Sequence, residues 1–252
     1  MRNFKQVLAA VVFSGIAATA SALPVANSIA DFSAVQGAEG WTYGFFDAGA
    51  APGANYTVDR FVAFDTFSTL VPARPRWEAS TLQVLEKNNF YLNIDAKGGH
   101  PTGIGPDDQD RIIWAMRRYT TDAAGLLDLS YDLRKENFSN TFGGGITGHI
   151  FVDGVELLDQ LIENADKVGV QDTITRMVNA GSFIDLAIAP TGRDSSRDPS
   201  IHNARADGTF FSVVIDTHTA SVPEPSGLGL MLTALGVMGL VGFGSRRRPA
   251  AI

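Results

Sequence analysis

Two polar clusters in this 252-residue chain hold the residue types that bind cations or sugar hydroxyls. Asp107-Asp108-Gln109-Asp110 offers three carboxylates, Asp107, Asp108 and Asp110, whose hard oxygens suit Ca²⁺. The twelve-residue loop with a terminal glutamate that marks an EF-hand is missing, which favours a solvated acidic loop. A second cluster runs from Gly192 to Ser200 and brings together Asp194 and Asp198, with Asn203 and Asp207 further on. It can ligate an ion or hydrogen-bond sugar hydroxyls, and its turn formers equally suit a plain surface connection. Ser195 and Ser196 lie outside any Gly-x-Ser-x-Gly context, so neither is read as a nucleophile. The four histidines, 100, 149, 202 and 218, make no zinc pattern, and His100, next to Pro101, reads as an imidazole that caps a loop. With no cysteine, thiolate catalysis and cysteine-based zinc sites are excluded.

Aromatic rings give a better argument for a ligand. Trp41, Tyr43, Trp77, Trp114, Tyr119 and Tyr131 can lay flat faces against sugar rings at low entropic cost. Trp41, Tyr43 and Trp114 alternate as core residues do, whereas Trp77, in Pro75-Arg76-Trp77-Glu78, obeys no pattern and is the best candidate for an exposed ring. A glycosidase needs two carboxylates about 5 to 9 Å apart, and a chain this rich in acids identifies no particular pair. No catalytic residue is assigned. A structural or carbohydrate-binding role therefore stands first, with a polysaccharide-active enzyme, a lyase or glycoside hydrolase on a β-sandwich, as the alternative.

Both ends carry signals of a different kind. MRNFKQVLAAVVFSGIAATASALP has Arg2 and Lys5, an apolar stretch from Val7 to about Ala18 and then Ala20-Ser21-Ala22, the order of a secretory signal peptide cut after Ala22. From Ser226 to Ser245 the chain has 20 residues without a charge, enough for a helix of about 30 Å, one hydrocarbon thickness. Val222-Pro223-Glu224-Pro225 precedes this run as a stiff spacer, and Arg246, Arg247 and Arg248 follow it as cytoplasmic charges. These features predict a transmembrane helix and a domain, 23–221, exported across the inner membrane and at first anchored to it. That domain has 15 basic and 26 acidic side chains, a net of −11, which repels polyphosphate and excludes nucleic acid as a partner. It is expected to be monomeric once the apolar run is removed.

Between the ends, short segments of period two are broken by Gly, Pro, Asn and Asp, the mark of strands. Leu127, Leu129, Tyr131 and Leu133 alternate with Asp128, Ser130, Asp132 and Arg134. Further strands are predicted at 40–46, 56–64, 82–85, 90–94, 111–119, 146–152, 173–178, 183–189 and 208–216. Asp153-Gly154 supplies a type I′ hairpin turn to Val155–Leu158, although 158–167 also suits a short helix. Such a chain predicts an all-β fold, an antiparallel β-sandwich, with a jelly roll preferred over an immunoglobulin order.

Pro223, Glu224 and Pro225, the apolar segment and the three arginines resemble the C-terminal sorting signal of the PEP-CTERM family. That resemblance implies a Gram-negative exported protein, segment 222–252 as its sorting signal, an exosortase-type processing enzyme as partner, a final place in the cell envelope or outside it, and association with exopolysaccharide. The ordered landmarks Trp41-Thr42-Tyr43-Gly44-Phe45, Trp77, His100-Pro101, Arg111-Ile112-Ile113-Trp114, His149-Ile150-Phe151-Val152-Asp153-Gly154 and Ile184–Pro190 are similar to the jelly-roll domain of exported bacterial proteins and of modules attached to polysaccharide-active enzymes. Here Ile112 and Ile113 separate Arg111 from Trp114, a departure from the arginine-tryptophan strand usual in that group.

Overall fold

The computed structural model describes residues 24–49, 55–70, 73–79, 92–101, 112–136, 145–190 and 207–218. Within them fourteen strands form two antiparallel sheets that share one core. The eight-stranded sheet has the order β12 (Val170–Val178), β9 (Gly125–Lys135), β14 (Thr209–Thr217), β7 (Gly98–His100), β6 (Asn93–Asp95), β5 (Arg76–Glu78) and β4 (Thr66–Ser68). Its eighth strand, β1 (Ala26–Asn27), also pairs with β14. The six-stranded sheet runs β11 (Val155–Ile162), β10 (Ile146–Val152), β13 (Phe183–Ala189), β8 (Ile112–Thr120), β2 (Trp41–Gly49) and β3 (Val62–Ala63). From β7 to β14 the chain passes repeatedly between the sheets, which gives the sandwich its jelly-roll character. All fourteen strands belong to the unit Met1–Thr217; of the second unit, His218–Ile252, only His218 is described.

Period-two alternation decides which residues are buried. In β9, Leu127, Leu129, Tyr131 and Leu133 enter the core, and Ile184, Leu186 and Ile188 of β13 and Phe211, Val213 and Ile215 of β14 do the same. Gly148 of β10 permits the close approach of the two layers, because a Cβ there would lie 2.4 Å from Leu133 Cδ2. At the tip of the β10–β11 hairpin Asp153 and Gly154 have φ of 51° and 80°, the two left-handed positions of the expected turn. Strand β11 continues to Ile162 and turns follow, so 158–167 is not helical.

Strands β8 and β2 are apolar on both faces. Ile113, Ala115 and Tyr119 of β8 and Trp41, Tyr43 and Phe45 of β2 face the shared core, while Ile112, Met116, Phe46 and Ala48 build a second cluster on the outside of the six-stranded sheet. Segment 55–61 covers that cluster. A strand was expected over 56–64; only Val62–Ala63 (β3) is one, and the residues before it hold the 3-10 turn Val58–Arg60 and lay Tyr56 and Phe61 over the sheet. Tyr56 donates its hydroxyl to Asp185 Oδ2 at 2.6 Å, and Arg118 grips the same carboxylate at 2.7 and 3.0 Å. Burial and the Asp185 charge raise the Tyr56 phenol far above its ordinary value, so it stays a donor at any physiological pH.

Arg117 of β8 points the other way and is fully buried. Its guanidinium crosses to the eight-stranded sheet and donates to the carbonyls of Ser28 (3.1 Å), Asp95 (3.0 Å), Ala96 (3.5 Å) and Gly98 (3.1 Å). Burial lowers its pKa to about 10, opposed by Tyr43 and Asp95, so the group remains charged at neutral pH.

One expectation is corrected. Among the described residues no helix is long and apolar enough to cross a membrane. The fold is therefore an all-β sandwich without a transmembrane helix in its described part, and the inner-membrane stage, the exosortase-type partner and the PEP-CTERM assignment are not carried further. An uncharged run meets the hydropathy condition for a span without specifying a helix. The run itself, with Pro223, Glu224, Pro225, Arg246, Arg247 and Arg248, lies outside the described residues, as does the leader at 1–22.

Replacing Arg117 with Met removes one cation and leaves four carbonyls without their donor. Equilibrium urea unfolding is expected to show a loss of about 3 kcal/mol or more, and Arg117→Lys is expected to recover only part of it because one ammonium cannot reach all four acceptors.

Candidate functional site

On the outside of the eight-stranded sheet, strands β12, β9 and β14 present the polar half of their alternation. The cross-strand register sets these side chains in rows: Gln171, Asp132 and Ser212; then Thr173, Ser130 and Val214; then Thr175, Asp128 and Asp216. An open groove of about 440 Å³ lies over the first two rows, lined by Ser130, Tyr131, Asp132, Gln171, Asp172, Thr173, Ser212 and Val214. The side chains are partly tied to one another. Ser130 and Thr173 share a hydrogen bond of 2.9 Å, Thr175 Oγ1 donates to Asp128 at 2.5 Å, and Arg134 Nη2 stands 3.6 Å from Asp132 Oδ2. Asp132 Oδ1 is shielded from water and accepts no hydrogen bond. Beyond Asp132, toward the end of β9, the half-buried ring of Phe210 is flanked by Arg134 at 4.9 Å and Lys97 at 5.9 Å.

Hydroxyls, an amide and carboxylates held on three hydrogen-bonded strands form a rigid array of donors and acceptors, and its chemistry is hydrogen bonding to a polar ligand. The alternation in 127–133 was visible in the sequence, yet an outward polar row on a binding face reads no differently from one that meets only water.

A buried polar group closes the end of the same sheet. Lys135 Nζ donates to Asp207 Oδ1 at 2.8 Å with both side chains out of water. Desolvation, opposed by Lys135, raises the Asp207 pKa to about 6, and its Oδ2 makes no hydrogen bond. Nearby His100 is pushed down to about 4 by burial. Its ring is neutral at pH 7, and with Nδ1 2.6 Å from the carbonyl of Pro101 we assign the proton to that nitrogen. His100 thus has the geometry of the loop-capping imidazole expected from the sequence.

Several expected site residues lie outside the described residues: Asp107, Asp108 and Asp110, and Asp194, Asp198 and Asn203. Their connections are nonetheless rooted side by side. The first leaves β7 after His100 and the second enters β14 after Asp207, and Gly99 of β7 pairs with Thr209 of β14. Among the described residues no three His, Asp or Glu side chains group closely enough to hold a metal ion.

Trp77 is not an exposed ring. It is 6 % exposed, its indole N–H donates to Ser33 O at 2.8 Å, and it stacks on Tyr43 with Phe67 at its edge. A three-residue strand such as β5 is too short to show alternation, which hid its burial. Trp114 faces outward instead, parallel to His149 at 4.5 Å, and His149 Nδ1 is 2.7 Å from Glu156 Oε1.

No protein-family model matches the chain, and no curated protein does. Solved structures do show likeness. A carbohydrate-binding module of family 51 from Clostridium perfringens GH95, in complex with methyl-galactose, is 14 % identical over 47 % of this chain and 80 % of its own, with a TM-score of 0.29. A family 35 module from Paenibacillus barcinonensis is 12 % identical over 72 % of this chain and 94 % of its own, at 0.25. The Kluyveromyces marxianus beta-glucosidase in complex with glucose is 8 % identical over 76 % of this chain but only 17 % of its own, at 0.31. At these scores the fold assignment rests on this chain's own strand order.

His100 makes stability depend on pH. Its folded pKa lies below the unfolded value of about 6.5, so the stability it carries is complete above pH 6.5 and is lost as pH falls toward 4. Thermal melts from pH 7 to 4.5 are expected to show the parent protein losing about 2 kcal/mol more than a His100→Gln variant.

Proposed function

We propose that this domain binds carbohydrate along the outer face of its eight-stranded sheet, as a module that holds a glycan without cleaving it. The groove over β12, β9 and β14 carries this reading. Its wall offers Ser130, Thr173 and Ser212 hydroxyls, the Gln171 amide and the Asp132 carboxylate, the groups that pair with sugar hydroxyls, on a backbone fixed by sheet hydrogen bonds. Val214 and Phe210 add apolar surface for the faces of sugar rings. The acidic surface disfavours polyanionic glycans.

A second reading, a polysaccharide-active enzyme on the same sandwich, is favoured by one observation. Asp128 and Asp216 are direct cross-strand partners, a placement that sets Cβ atoms about 4.5–5.5 Å apart, close to the carboxyl spacing of about 5–5.5 Å in retaining glycosidases.

Affinity electrophoresis of the full chain against a panel of soluble polysaccharides, with reducing-end release measured on the same mixtures, separates the two. Retardation without release supports the module, release identifies the enzyme, and neither result sinks both. Asp132→Ala or Ser212→Ala is expected to weaken retardation about tenfold, the worth of one hydrogen bond to a ligand, with an unchanged melting temperature. Trp77→Ala is expected to do the reverse, lowering stability through a core cavity while the groove residues remain in place.

A further inference from the structure

We infer that strand β12 is a homodimer interface, pairing antiparallel with β12 of a second copy of this chain about a two-fold axis at Ile174. The pairing stands whether or not the groove holds sugar, and it replaces the monomer expected from the sequence.

Each sheet has one long edge strand, β11 in the six-stranded layer and β12 in the eight-stranded one, while the opposite edges, β3 and β4, span two and three residues. A free edge of N–H and C=O groups invites another strand, and proteins blunt it with bulges, charge or brevity. Strand β11 has two of these guards: its register against β10 shifts between Ile150 and Phe151, and its only charged residues are Glu156 and Asp159, so a second β11 would set acid near acid with no base to answer it. Strand β12 has none. Its nine residues pair with β9 without a shift, and among the described residues no strand pairs with its other side.

The sequence of β12 is complementary to itself in one register. Opposite residues of a two-fold antiparallel pair share a face, so the axis must pass at a residue position. Placed at Ile174, the middle of Val170–Val178, it pairs all nine positions. Val170 then faces Val178, Gln171 faces Met177, Asp172 faces Arg176, Thr173 faces Thr175, and Ile174 meets its own copy. Two Asp172–Arg176 pairs form in each dimer. Moving the axis to 172 or 176 sets like charges opposite one another, and moving it to 173 or 175 sets both charges against Val or Ile. Asp172 and Arg176 are exposed, and no described residue forms an ion pair with Arg176. Val170 and Ile174, half-buried against the core, and Met177, 63 % exposed, gain cover from the partner. Joined at β12, the two grooves lie side by side on one continuous face, where a long glycan would be held by two sites at once.

The test is sedimentation velocity of the full chain over about a hundredfold range of concentration, where a reversible dimer is expected. Arg176→Asp and Asp172→Arg each set like charges opposite at two places and are expected to weaken that dimer about tenfold or more, with an unchanged circular dichroism spectrum. An equimolar mixture of the two variants is expected to dimerise again, because each supplies the charges that the other lacks. The chain has no cysteine, so Ile174→Cys is expected to form a disulfide between copies on oxidation in air, whereas Gln171→Cys, about 20 Å from its own copy along the paired strands, is not. A monomer at every concentration overturns the inference. So does association that both charge variants leave unchanged, which would place the contact elsewhere, and so does equal cross-linking at 171 and 174.

Discussion

A single buried cation ties the two layers together. Arg117 sends a full positive charge from the middle of the six-stranded sheet into the turn between β6 and β7 and against Ser28, where it meets carbonyl oxygens and no carboxylate within hydrogen-bond range. The dipoles of those carbonyls replace the hydration the guanidinium gives up, and in return the arginine supplies donors for backbone groups that water cannot reach. Five donors in a rigid fork are needed to reach acceptors from Ser28, Asp95, Ala96 and Gly98 at once. Because side-chain direction alternates along a strand, fixing Arg117 inward also fixes Met116 and Arg118 outward. The face of β8 that carries the Tyr56–Asp185 network is therefore set by the same contact.

Polar groups inside this molecule fall into two kinds. Arg117, Arg118 with Asp185 and Tyr56, and Ser28, whose hydroxyl accepts from the Val213 amide, are satisfied and act as registers for the layers. Asp207 and Asp132 keep one oxygen each without a partner. Trp41 of β2 likewise keeps its indole N–H without a partner, so such atoms, which cost free energy, occur on both sheets. The six-stranded sheet buries its outer face beneath segment 55–61, while the eight-stranded sheet leaves strands β12, β9 and β14 open. That asymmetry leaves the eight-stranded sheet with the more open polar face.

How much of this could be read from the sequence depended on strand length. Long alternating segments, 127–133 and 183–189, carried enough periods for their inward residues to be named, and the Asp153-Gly154 turn was specified by its backbone chemistry. Strands of two or three residues, β1, β4, β5 and β7, carried no period, so Trp77 looked patternless when it was in fact core. Segment 56–64 has the composition of a strand, but only Val62–Ala63 pairs with β2, and the residues before it fold across the sheet face. Ser130 was visible in an outward row; what sets it beside Thr173 in the groove is register between strands far apart in sequence, which period-two counting within one strand cannot supply.

Among the described residues strand β12 is bonded on one side only, to β9, and forms the outer bank of the groove. Peripheral strands open by local fluctuations far smaller than global unfolding, so this bank is the portion of the candidate groove that breathes most readily. A bound chain spanning β12, β9 and β14 would staple it down, and occupancy would register as slower amide hydrogen exchange in 170–178 even with no change in the core.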